Sequence, residues 1–161
     1  MKKHIIHITS ILLFILSQAA TGSSFASNET QAVKAAVDNF YLALNSMFIG
    51  DVQPMEQIWS HKDDVTYMGP AGGLHVGWQQ VLADWEQQAK LKLGGKVEPK
   101  DMQITVGRDL AIISNYEVGE NTGPDGKIED VTIRATNLFR MEDGAWKMIG
   151  HHTDLLPFLN E

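Results

Sequence analysis

The sequence predicts an α+β fold, with three helices first and a curved antiparallel sheet after them. Two observations carry this. Apolar residues recur at spacings of three and four as far as Leu93, and at spacings of two from Val97 onward. Helical segments gathered early, with strands on short links gathered late, are the pattern of helices packed on one sheet. A chain of 161 residues with no internal repeat and no linker predicts a single domain.

The first helix is expected to begin near Asn28. Asn28 with Gln31 fits a capping box, and Val33, Ala36, Val37, Phe40, Leu44 and Met47 make one apolar stripe. A short second helix from Asp51 to about Trp59 has a capping residue in Asp51 and tolerates Pro54 in its first turn. Val65 to Met68 reads as a short strand stopped by Gly69-Pro70. Gly72-Gly73 makes a turn, and Leu74 to Val76 a second short strand. The third helix, from Trp78 to about Leu93, carries the stripe Trp78, Val81, Leu82, Trp85 and Ala89. Four strands follow: 97–106, 110–119, 127–141 and 145–153.

The last two strands form a hairpin about Glu142-Asp143-Gly144, which has the Asp-Gly chemistry that tight turns favour. Val131, Ile133, Ala135, Asn137, Phe139 and Met141 fall on one face of the first of these strands. Asn137 is therefore an amide in an apolar row. Across the turn the same period puts Trp146, Met148, Gly150 and His152 on one face, with His151 on the other. Polar groups on inward faces point to a lined cavity.

The chain start predicts a secretory leader over residues 1–26. Lys2-Lys3, the apolar run from Ile5 to Leu16, and the small residues of Ser24-Phe25-Ala26 predict cleavage after Ala26. Residues 27–161 then form the domain, exported to the periplasm or secreted. With no cysteine, neither disulfides nor a lipid-modified cysteine can hold it. Without Lys2 and Lys3, 11 basic residues face 20 acidic ones, a net charge of −9. That balance disfavours nucleic acid and anionic membranes as partners. There is no phosphate-binding glycine loop, no cysteine nucleophile and no zinc-type histidine spacing, so no cofactor and no metal are expected.

Several short stretches carry a family likeness. These are Phe40-Tyr41-Leu42-Ala43-Leu44-Asn45 before Gly50-Asp51, Val65-Thr66-Tyr67, and Gly77 opening the third helix. Arg134-Ala135-Thr136-Asn137-Leu138-Phe139, Asp143-Gly144-Ala145-Trp146-Lys147-Met148 and His151-His152-Thr153 complete the set. In this order the chain resembles the NTF2-like superfamily, and within it the SnoaL-like and DUF4440-type proteins. The resemblance implies a cone-shaped sheet around the helices, a pocket between them, and homodimers formed through the sheet. The superfamily's ketosteroid isomerases offer a residue-by-residue test. Their general base falls on Gly69, their oxyanion tyrosine on Phe40 beside Tyr41, and their pocket aspartate on Asn137. With the base missing and both donors altered, steroid isomerisation is not expected.

His152 is the candidate acid or base, because it shares the face of Trp146 and Met148 and titrates near neutrality. His75, in the glycine-rich stretch, is the candidate second histidine. Asn137, Tyr41, Tyr67, Trp59, Trp85 and Tyr116 are the candidate ligand-binding residues, the aromatics as walls of an apolar pocket. The expected function is binding of a small, largely apolar molecule between sheet and helices. Two alternatives stand beside it: a cofactor-free lyase or isomerase using His152, and a dimerisation or assembly module.

Overall fold

The computed structural model describes residues 17–123 and 125–154. Helix α1 (Ser17–Phe48) and helix α2 (Gln53–Ile58) lead into strands β1 (Thr66–Met68) and β2 (His75–Val76). Helix α3 (Trp78–Leu91) follows. Then come the four long strands, β3 (Lys96–Val106), β4 (Leu110–Thr122), β5 (Ile128–Glu142) and β6 (Ala145–Asp154). The capping box is not used. Helix α1 runs through Asn28, because no proline interrupts the chain between Ser17 and Phe48. The candidate leader lies outside the described residues up to position 16. No helix among the described residues is long and apolar enough to cross a membrane.

All six strands form one sheet in the order β2-β1-β6-β5-β4-β3. Neighbours run antiparallel except β1 and β6, which pair in parallel. The helices cover one face, here called inner. Phe40, Leu44 and Met47 from α1 and Val81 and Trp85 from α3 close on Ile113, Phe139 and Met148 from the sheet. The β5–β6 turn has positive φ at both Asp143 and Gly144, 50° and 82°. That is the geometry whose twist matches a hairpin, and only residues tolerant of the left-handed region adopt it.

Two irregularities shape the sheet. In β3 the register shifts between Lys100 and Gln103, with Asp101 at φ 53°. In β6 it shifts opposite Leu138 and Phe139: Phe139 pairs with Met148, and Leu138 pairs with Gly150. Ile149 is the extra residue of a β-bulge. Because side chains alternate with a period of two, one extra residue exchanges the faces of everything after it. His151 therefore points inward, 2% exposed, opposite Asn137. His152 points outward beside Thr136 and Thr66. The expected assignment of the two histidines is reversed, and the bulge is the reason.

The same geometry yields a prediction. Deleting Ile149 should leave a regular ladder with both flanking registers intact. The deletion variant is expected to unfold cooperatively at a cost of about 1–3 kcal/mol, for the half-buried side chain lost. Thermal unfolding would check this. Loss of the folded state would show that the bulge is required.

Candidate functional site

Two strands supply the polar floor of the inner face. On β4, Ala111, Ile113, Asn115 and Glu117 alternate inward, and the last two are polar yet buried, 7% and 3% exposed. On β5 Asn137 is fully buried. Tyr41 reaches them from α1 and His151 from β6. A buried polar group must find partners, and here the partners are one another.

The hydrogen bonds admit one arrangement. Asn137 Nδ2 donates to Asn115 Oδ1 (3.1 Å) and to Tyr41 Oη (3.3 Å). Asn115 Nδ2 also donates to Tyr41 Oη (2.8 Å). The Tyr41 hydroxyl thus accepts twice, and its own proton goes to Glu117 Oε1 (3.2 Å). With both Asn137 hydrogens committed, only its oxygen is left to face His151. His151 Nδ1 therefore carries the ring proton and donates to that oxygen at 2.6 Å. This leaves the bare Nε2 of neutral His151 3.7 Å from Glu117 Oε1.

Burial sets the charge states. It pushes the Glu117 carboxyl up to about 7, although the Tyr41 hydrogen bond opposes the shift. It holds His151 well below the usual imidazole range, with the neighbouring His152 adding to the effect. The Tyr41 hydroxyl is raised above the ordinary phenol value by burial and by Glu117. Near neutrality the Glu117–His151 pair thus holds one proton that can be given up or taken back. Such a proton is what acid–base chemistry requires.

The pair opens onto a cavity of about 370 Å³ between the sheet and helices α1 and α3. Tyr67, Trp85, Phe48 and Leu44 form its apolar wall, and Glu129 and Asp130 stand at its rim. Rings enclose His151: Tyr67 is stacked on it at 5.8 Å, Trp85 lies at 6.1 Å and Phe40 at 4.8 Å. Tyr67 Oη accepts from Gln88 Nε2 at 2.8 Å. The Trp85 indole N–H is buried with no partner among the described residues.

A SnoaL-like domain model matches residues 33–155. The chain belongs to the SnoaL-like family. Its fold is that of the NTF2-like superfamily. A candidate dehydratase of the NTF2-like family from Streptomyces avermitilis superposes with a TM-score of 0.71 at 20% identity, over 81% of this chain and 98% of that one. An NTF2-like protein with a cystatin-like fold from Novosphingobium aromaticivorans superposes with a TM-score of 0.68 at 15% identity, over 89% and 92%. In sequence the chain is similar to the F-box protein SKIP8 of Arabidopsis thaliana, 20% identical over 128 residues. It aligns over 79% of its own length and spans 51% of that protein.

In this SnoaL-like chain the residues expected at the site divide. Tyr67 and Trp85 line the cavity. Asn137 and Tyr41 stand behind the lining and hold His151 and Glu117 in place. Trp59 is core, 1% exposed and packed on Trp78 and Trp85. Tyr116 is 45% exposed on the outer face, since it alternates with the inward Asn115 and Glu117. His152 bonds Thr66 Oγ1 at 3.0 Å outside the cavity. His75 stacks on Tyr67 and lies 3.5 Å from Asp84, without lining the cavity. The Gly69 position has no room for a general base, because a β-carbon there would lie 2.3 Å from Tyr67 Oη. Asn115, Glu117 and His151 were not among the expected site residues. For the first two the signal was strand alternation, and for His151 it was Gly150, since a lone glycine inside a strand marks a possible bulge. Among the described residues no group of three His, Asp or Glu side chains is placed to hold a metal ion.

Glu117 makes stability depend on pH. Its folded-state value lies above the ordinary 4.5. Its contribution is therefore full below about pH 4.5 and is lost as the pH rises through about 7. Glu117→Gln removes that loss. The stability of the variant relative to the parent should climb between pH 4 and pH 8 by on the order of 3 kcal/mol, read from urea midpoints. A flat difference would place the titration elsewhere.

Proposed function

We propose that this chain binds a small, largely apolar molecule in the cavity between the sheet and helices α1 and α3. The observation that carries the reading is the cavity itself: a space of about 370 Å³ walled by aromatic rings, with two polar side chains converging at its floor. Pockets of this size and lining suit small organic ligands.

A specific observation favours a second reading, a cofactor-free lyase or isomerase. Glu117, poised near 7, faces the bare Nε2 of His151. In this reading Glu117 takes a proton from bound substrate and the pair returns it to a neighbouring atom or to a leaving group. Tyr41 and Asn137 hold the two groups in place. The dehydratase description of the Streptomyces relative agrees with this class of reaction.

A thermal-shift screen against small carbonyl and aromatic compounds tests the binding reading. A compound that raises the melting temperature of the parent and of His152→Ala, but not of His151→Ala, places the ligand at the cavity. Equal loss in both variants would refute that placement. For any compound bound there, turnover abolished by Glu117→Gln with binding retained would establish the second reading. Binding without turnover would leave the first.

The reading includes export, supported by the basic start and the apolar run before Ala26. Terminal sequencing of protein recovered outside the cytoplasm is expected to begin at Ser27. A start at Met1 would refute cleavage.

A further inference from the structure

Every ionised side chain that lines the cavity is acidic. Glu117 lies at the floor and Glu129 and Asp130 stand at the rim, while no lysine or arginine takes part in the lining. Two bases close in sequence to the rim are engaged elsewhere: Lys127 pairs with Asp125, and Arg134 pairs with Asp154 on the outer face. Glu129 and Asp130 have no ion-pair partner among the described residues. Their side chains are exposed at the mouth, where negative charge raises the local concentration of cations.

The floor points the same way. The groups facing Glu117 are the Tyr41 hydroxyl from α1 and His151 from β6, with Tyr67 on β1 near enough to feel its charge. None of them is a fixed cation. A buried carboxylate without a counter-charge is costly, so a ligand that brought a positive charge would relieve that cost. An anionic ligand would add to it.

We infer that the ligand is a cation: a small apolar molecule bearing a protonated amine or a quaternary ammonium group, with that group directed at Glu117. This inference rests on the binding reading above and narrows it to one charge class. A carboxylate or phosphate ester of the same size is excluded from the pocket by the same charges.

The test uses three matched probes, phenylpropylamine, phenylpropanol and phenylpropionate, titrated calorimetrically into the chain at pH 8. The amine is expected to bind at least about tenfold more tightly than the alcohol, a difference of about 1.4 kcal/mol, with the carboxylate weakest. Glu117→Gln should reduce the amine's advantage over the alcohol to what the rim charges supply. Lowering the pH through about 7 should shrink the preference as Glu117 takes up its proton. The double variant Glu129→Gln and Asp130→Asn, at exposed positions, should weaken the amine alone. An alcohol that matches the amine, or a carboxylate that exceeds it, overturns the cation inference while the binding reading stands. Failure of all three probes, together with no hit in the wider screen, overturns both.

Discussion

The site depends on one buried amide. Asn137 has two hydrogens and both are committed, one to Asn115 and one to Tyr41. Its oxygen is then the only group that can meet His151, which fixes the tautomer of the ring and leaves Nε2 bare on the cavity side. The same commitments make Tyr41 an acceptor twice over and send its proton to Glu117. Four elements are tied together this way: α1 through Tyr41, β4 through Asn115 and Glu117, β5 through Asn137, and β6 through His151. Behind the cavity lining the amide network is rigid, because breaking one of its bonds strands a buried donor or acceptor.

That rigidity has an electrostatic counterpart. The network satisfies hydrogen bonds without supplying a counter-ion. Glu117 receives one donor hydrogen bond from Tyr41 and no neighbouring lysine or arginine, so burial wins and its proton is held to near neutrality. Replacing Asn115 or Asn137 by a basic residue would give the carboxylate a counter-charge and bring its proton affinity down. Neutral partners keep Glu117 both ordered and titratable.

Much of this was legible in the sequence. The inward amide at 137 follows from the alternation of β5, and the hairpin follows from Asp143-Gly144. The same alternation along β4 carries Asn115 and Glu117 inward and Tyr116 outward, but reading Tyr116 by its aromatic character instead placed it in the wall. The two histidines could not be told apart by counting. A strand's period fixes faces only while the ladder is unbroken, and the extra residue at Ile149 breaks it two positions before His151. Trp59 shows the other limit. Its spacing marks it as buried, but whether a buried ring packs against core or lines a space depends on where α3 settles across from it.

The bulge has one more consequence, concerning how such a site tolerates change. Without the bulge, a regular ladder continued from Phe139 and Met148 would set Gly150 against Asn137 and His152 against Ala135. Smoothing the bulge with the sequence unchanged would turn His152 inward in place of His151, one pair away from the amide, whereas removing Ile149 itself leaves His151 opposite Asn137. The doublet keeps an imidazole on the inner face in either register, but the bulge alone sets one against Asn137.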